Sequence, residues 1–294
     1  MDVKKWLSKN THSLKGKNVA ITGATGGIGK ELCAYLGLLG ANLILMDRNM
    51  SRSRELGDSI AIKYGIKVDY ITTDLSDFKS VCSATEKLKE QKPDIFIHNA
   101  GAYSIPRYVT DIGYDNVFQI NFVSPYYIIR EILPEISEKQ GKIVVVGSIA
   151  HNYSNADKND IDFKSRKKAS LVYGNAKRYL MFSLYELFRR EKIEILSITH
   201  PGITFTNITA HYPKPIFAII KYPMKIIFMK PKIACLSVLK GVFKKCADLE
   251  WIGPRIFNIW GRPSEKTLKT CNKSESEIIG NTAEKIYKEL KERN

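Results

Sequence analysis

Cysteine is scarce in this chain of 294 residues. There are five, at positions 33, 82, 235, 246 and 271, an odd number with no CxxC pair and no histidine at a metal-ligand spacing. That pattern excludes a disulfide framework, gives no metal site, and implies a reducing compartment. Long apolar runs are missing too. No stretch offers the roughly 18 uncharged residues that a membrane span requires. The N-terminal MDVKKWLSKNTHSLKGK lacks the apolar centre of a signal peptide, so a cytoplasmic location, with contact at a membrane surface as the variant, is expected. Repeats and low-complexity tracts are absent, and 44% hydrophobic content suits one globular domain with embellishments. Acid is in deficit, with 30 Asp and Glu against 46 Lys and Arg, a formal charge of +16. The lysines are spread along the whole chain and no DNA- or RNA-binding motif surrounds them. A solvated basic surface with no nucleic-acid partner is therefore expected.

What is present is an alternation. The apolar runs NVAIT (18 to 22), NLILM (42 to 46), KVDYIT (67 to 72), DIFIH (94 to 98), KIVVVG (142 to 147) and IEILSI (193 to 198) are separated by helical patterns, the first from about residue 27 and others near 51 to 64 and 79 to 91. β-rich runs apolar on both faces, taking turns with helices, predict an α/β fold: a doubly wound parallel sheet of Rossmann type, covered on both sides. The expected organisation is an extension over 1–17, a single dinucleotide-binding and catalytic domain over 18–262 with an apolar lid insertion at about 203–231, and a helical tail over 263–294. RIFNIW (255 to 260) reads as a late edge strand, and IYKELK, with Tyr287 and Lys291, as part of a solvated amphipathic helix. The polar stretch 149 to 169 and the lid are long connections at carboxyl ends of strands, where such sheets hold ligands.

The first of those strand ends carries chemistry. TGATGGIG, residues 22 to 29, turns from strand to helix, and Gly23, Gly27 and Gly29 let the backbone approach a pyrophosphate at the helix N-terminus. The second strand ends in MDRN, which sets Asp47 at 20 residues after Gly27, where a carboxylate can bond an adenosine ribose. A carboxylate there repels the additional phosphate of NADP, whereas Arg48 attracts it. NAD is the preferred expectation, with NADP as the alternative. Further along, Tyr173 precedes Lys177 by four residues, one face of a helix. With 15 tyrosines and 34 lysines the spacing has little weight alone, and it recurs at Tyr287 and Lys291.

Taken in order, TGATGGIG, Asp74 in TTDLS, NAG at 99 to 101, Asn121 in FQINF, Ser148 in VVVGSIA, YGNAK at 173 to 177 and HPGITFT at 200 to 206 closely resemble the short-chain dehydrogenase/reductase family, nearest to its retinol-dehydrogenase-like branch. The likeness runs from Asn18 to about Thr206 and fades beyond. It implies an NAD(P)-dependent oxidoreductase that moves a hydride between nicotinamide and a carbonyl or alcohol carbon of an apolar small molecule. By resemblance, Tyr173 is the general acid/base, Lys177 lowers its pKa and holds the nicotinamide ribose, Ser148 positions the substrate oxygen and Asn121 maintains a proton relay. The same resemblance assigns cofactor contacts to Thr22, Gly23, Thr25, Gly27, Ile28, Gly29, Asp47, Arg48, Asp74, Leu75, Asn99, Ala100, Gly101, Tyr173, Lys177, Pro201, Gly202, Ile203 and Thr206. Gly147 departs from it, because many relatives carry a second serine there. An ammonium about 4 Å from the phenol, at an effective dielectric near 20, would favour the phenolate by roughly 4 kcal/mol. The alternative is a catalytically silent dinucleotide-binding sensor or scaffold, against which the intact Asn121, Ser148, Tyr173 and Lys177 argue. A homo-oligomer is compatible with the resemblance, and the lysines of about 213–231 suggest peripheral contact with a membrane. His98 and His200 read as local structure.

Overall fold

The computed structural model describes residues 2–204, 229–244 and 249–293. Eight strands form one sheet in the order β3-β2-β1-β4-β5-β6-β7-β8: β1 Asn18–Thr22, β2 Asn42–Asp47, β3 Val68–Thr72, β4 Ile95–His98, β5 Lys142–Val146, β6 Leu196–Thr199, β7 Glu250–Ile256 and β8 Trp260–Thr267. The first seven are parallel, and β8 returns antiparallel along β7. β1 sits between β2 and β4, so the connections leave in opposite directions on its two sides. That is the switch point at which such sheets open a crevice beyond the carboxyl ends of the strands.

The strands are central because their side chains are apolar on both faces. Val19, Ile21, Leu43, Leu45 and Ile97 pack beneath α1 (Val3–Asn10), α2 (Gly27–Leu38), α3 (Met50–Tyr64) and α8 (Pro231–Phe243). Ala20, Ile44, Phe96, Ile143 and Val145 pack on the opposite side, under α4 (Phe78–Gln91), α6 (Ser124–Glu138), α7 (Ala169–Glu191) and α9 (Lys273–Glu292). Local signals set the helix starts: the side chains of Asn49 and Asp77 accept amide hydrogens at the first turns of α3 and α4. A short α5 (Asn116–Phe118) runs through a π-helical turn, Gln119–Val123, directly into α6.

Three sequence boundaries are corrected. RIFNIW is not one edge strand but the end of β7, a turn and the first residue of β8. β8 therefore crosses position 262, and the sheet continues five residues into the expected helical tail, because Gly253, Ile252 and Trp251 pair with Ser264, Glu265 and Lys266. The tail helix is not solvated all round: Ile279, Ala283, Ile286, Tyr287 and Leu290 are buried, and α9 lies along α7. At the other end, Trp6 of α1, within the expected extension, is buried in the core. Most of the lid, together with Thr206, lies outside the described residues. Its two ends are joined where the Met229 amide donates to the Ile203 carbonyl at 3.0 Å.

Candidate active site

A cleft of about 410 Å³ opens at the carboxyl ends of β1, β2 and β4. Thr22, Gly23, Thr25, Gly27, Ile28, Asp47, Arg48, Asp74, Leu75, Asn99, Ala100 and Gly101 all line it. Gly23 has φ +68°, and a methyl group there would lie 2.9 Å from the Ala100 α carbon. Gly29 does not line the cleft. It is buried one turn into α2, where a β carbon would collide with the Gly23 carbonyl oxygen. Thr22 locks the two loops together: its hydroxyl accepts the amides of Asn99 and Ala100, both at 3.1 Å. Its own proton is then directed to His98 Nδ1 at 3.0 Å. Asn99 Nδ2 donates to the carbonyls of Thr22 and Gly23. Unlike α3 and α4, α2 starts at Gly26 with no side-chain cap, so its first amides face the cleft unclaimed by a side chain. A glycine cradle at an uncapped helix start fits the pyrophosphate of a dinucleotide.

Asp47, expected to bond a ribose, already accepts hydrogen bonds from the protein itself. It is buried, with Oδ1 accepting from the Thr25 amide at 3.3 Å and hydroxyl at 3.0 Å, and Oδ2 accepting from Ser53 at 3.0 Å. Burial raises its pKa, against these hydrogen bonds. Arg48 is well exposed and 4.0 Å from Asp74, whose Oδ1 accepts from the Ser76 amide and hydroxyl. Arg52, on the first turn of α3, joins the cleft wall. Sequence reasoning missed Arg52 and Asn49. The signal that could have found them was MDRNMSR itself, with a second arginine one helical turn beyond the first.

Beyond the cleft lining, Asn121 and Lys177 come close to Gly101, and Tyr173 lies on the same helix as Lys177. Asn121 lies in the π-helical turn, fully buried, donating to the carbonyls of Ala102 and Val117 at 2.8 Å each and accepting from the Ala102 amide at 3.2 Å. A methyl group at Gly101 would come 2.9 Å from Asn121 Oδ1 and 3.5 Å from Lys177 Nζ, so the glycine is what lets these two side chains converge. The π turn adds a residue to the helix and re-aims Asn121 inward. Lys177 is buried and donates to the Val146 carbonyl at 3.0 Å. Burial lowers its pKa to about 8. Tyr173, one turn earlier on α7, is partly buried and packs edge-on against Tyr103 at 5.3 Å between ring centres.

The expectation that Lys177 brings the phenol toward neutrality is corrected. Its ammonium is 5.9 Å from the Tyr173 ring centre and is engaged by a carbonyl. Burial pushes Tyr173 up to about 12, and a hydrogen bond from Ser148 offsets this only in part. Ser148 follows β5 and starts a 3-10 turn, its hydroxyl accepting the Ala150 amide at 3.1 Å. Gly147, the departure from the family pattern, has a packing reason: a methyl group there would lie 2.7 Å from the Met181 sulfur.

A further layer holds Ser148. His151 Nδ1 donates to the Ser148 carbonyl at 2.6 Å, which leaves Nε2 to accept the Thr270 hydroxyl at 2.8 Å. Arg178, next to Lys177, donates to the His151 carbonyl at 2.9 Å and pairs with Glu275 at the start of α9. Pro201, Gly202 and Ile203 lie after β6, with Gly202 at φ +82°. Tyr287 has none of this company but is not a surface residue: its hydroxyl donates to Glu131, which Lys89 and Lys291 also approach at 2.6 and 2.7 Å. Among the described residues no cluster of His, Cys, Asp or Glu suits a metal ion, and no helix is long and apolar enough to cross a membrane.

Comparison with known proteins places this geometry. Residues 17–160 match the family model described as short chain dehydrogenase. An uncharacterized oxidoreductase of Schizosaccharomyces pombe is 30% identical over 232 residues, 72% of this chain and 68% of that protein. Retinol dehydrogenase 14 of Mus musculus is 28% identical over 267 residues, 81% of this chain and 80% of its own. In fold, a crystal structure of an uncharacterized protein from Mycobacterium paratuberculosis superposes with TM-score 0.76 at 21% identity, covering 96% of this chain and 97% of that one. The chain belongs to the short-chain dehydrogenase/reductase family and stands close to its retinol-dehydrogenase-like branch.

Proposed function

We propose that this protein is an NAD(P)-dependent oxidoreductase that interconverts an apolar carbonyl compound and its alcohol, with Tyr173, Ser148, Lys177 and Asn121 as the working residues. The observation that carries the reading is the convergence of Asn121 and Lys177 on Gly101, at the end of the dinucleotide cleft. A bound nicotinamide would supply or accept the hydride. In reduction, Ser148 and Tyr173 donate hydrogen bonds to the carbonyl oxygen, and the Tyr173 proton passes to it as the carbon takes up the hydride. A phenol raised to about 12 holds that proton at neutral pH, as a donor must. In oxidation the proton of the alcohol oxygen passes to the Tyr173 phenolate as the carbon gives up its hydride. Asn121 holds the backbone at Ala102 and so keeps the loop after Gly101 in place. The name of the retinol dehydrogenase relative supports an apolar alcohol or aldehyde as substrate.

For the dinucleotide, the reading departs from the sequence expectation and favours NADP. Both oxygens of Asp47 already accept from Thr25 or Ser53, while Arg48 and Arg52 present two guanidinium groups at the adenosine end. Arg48→Ala with Arg52→Ala should weaken NADPH by about tenfold or more and leave NADH nearly unchanged, measured by nicotinamide fluorescence. If the unaltered protein binds NADH at least as tightly as NADPH, NAD is the cofactor. The reaction itself is tested by turnover of medium-chain aldehydes. Tyr173→Phe should lose at least about a hundredfold in kcat with dinucleotide affinity intact. Full activity in that variant would remove Tyr173 from the chemistry. Dinucleotide binding without turnover of any aldehyde or alcohol would favour the silent sensor.

A further inference from the structure

The turn joining β7 to β8 displays an apolar ring in an unfavourable backbone conformation. Ile256 and Trp260 face each other across the hairpin, and the Ile259 amide closes the turn on the Ile256 carbonyl at 2.9 Å. The two central residues, Phe257 and Asn258, have φ of 51° and 60°. That left-handed pair suits Asn-Gly and is sterically poor for phenylalanine. The Phe257 side chain is nevertheless 82% exposed, beside Ile256 at 50% and Trp260 at 36%. The turn is braced from below: Lys266 Nζ donates to the Pro254 carbonyl at 2.8 Å and to Asn258 Oδ1 at 2.7 Å, and His200 Nε2 donates to the Asn258 carbonyl at 2.8 Å. A strained turn held rigid to present a ring to solvent implies something that receives the ring.

The charge around the turn says what kind of surface that is. Residues 251 to 264 contain Arg255 and Arg262, both exposed, and no Asp or Glu. The next acid along β8, Glu265, is already paired with Lys240 and Lys244. Aromatic side chains flanked by cations that have no acidic partner among the described residues match an anionic lipid surface, with the rings at the boundary of headgroup and acyl chain and the guanidinium groups on phosphate. A second copy of a chain with formal charge +16 would meet that same turn with repulsion. The turn also lies near the site, since a methyl group at Gly202 would be 2.7 Å from the Ile259 carbonyl oxygen.

We propose that the β7–β8 turn is a docking wedge for anionic membranes, in which Phe257 and Trp260 enter the interface and Arg255 and Arg262 bind headgroups. It faces the carboxyl edge of the sheet to the lipid. The inference needs no turnover and no particular dinucleotide, so it stands or falls separately from the reaction. The test uses the full chain with vesicles of phosphatidylcholine, with and without phosphatidylserine, some carrying brominated acyl chains. Trp6 and Trp251 are buried, so quenching by bromine reads Trp260. Binding should be about tenfold tighter with phosphatidylserine, with Trp260 quenched. Phe257→Ser should weaken binding several-fold without loss of thermal stability, because it removes a bulky side chain from a left-handed position. Arg255→Gln with Arg262→Gln should abolish the anionic preference while dinucleotide affinity is unchanged in every variant. No anionic preference in the unaltered protein would overturn the proposal. So would binding that leaves Trp260 unquenched, or a change of oligomeric state in Phe257→Ser without lipid.

Discussion

Lys177 shows how one side chain couples the site to stability. Its folded pKa of about 8 lies below the ordinary 10.5 because burial removes water from the ammonium. Between those values the unfolded chain binds a proton that the folded chain does not. The penalty is therefore complete below pH 8 and is relieved as pH rises to 10.5. At neutral pH it amounts to about 3 kcal/mol. Lys177→Met should be the more stable protein at pH 7 without dinucleotide, and its advantage over the unaltered chain should shrink as denaturation is repeated up to pH 10.5. A pH-independent difference would mean that the ammonium is solvated. The YxxxK spacing was readable in the sequence, and so was the helix face it implies. What the spacing did not contain was Val146, whose carbonyl comes from a different strand and engages the ammonium away from the phenol.

Among the elements, α9 does most that the sequence left open. Its start is tied by Glu275 to Arg178, and the preceding Thr270 reaches His151, whose other nitrogen holds the Ser148 carbonyl. Thr270 is thus a positioning residue for Ser148. Thr270→Val should lower kcat several-fold with little change in dinucleotide affinity, and Thr270→Ser should restore it. Equal loss in both variants would mark a packing role instead. The far end of α9 buries Tyr287 against Glu131. Burial would raise the Glu131 pKa, but hydrogen bonds from Lys291, Lys89 and Tyr287 outweigh it and hold the carboxyl at about 2. Tyr287→Phe should therefore destabilise the fold by about 1–2 kcal/mol by urea denaturation, and have no direct effect on turnover. From sequence the same tyrosine looked solvated, because its neighbours in IYKELK are lysine and glutamate. The residue opposite it lies 156 positions away, on α6.

For the molecule as a whole, acid is the sensitive direction. His98, His151 and His200 are buried and held below the ordinary histidine pKa, mainly by burial, with His200 down to about 4. The unfolded chain takes up those protons first, so stability falls as pH drops from 6.5 towards 4. Below 4.5 the contribution of Glu131 is lost as well, until about 2. The melting temperature should decline continuously from pH 6.5 to 4, and His200→Asn should flatten part of that decline. A flat profile over that range would mean that these rings are already hydrated.

The alternation of apolar runs and helices, the glycine turn and the ordered motifs settled the parallel sheet, the crevice at β1 and the family, because periodicity and backbone sterics act over a few residues. The pairings that give those residues their properties are not local. Asp47 turns to Thr25 and Ser53, Lys177 to Val146, Tyr287 to Glu131, and β8 to β7 across a turn that splits an apparently continuous apolar run. Charge state, burial and hydrogen-bond partner depend on which distant atoms arrive beside a side chain, and only the packed sheet and its helices decide that.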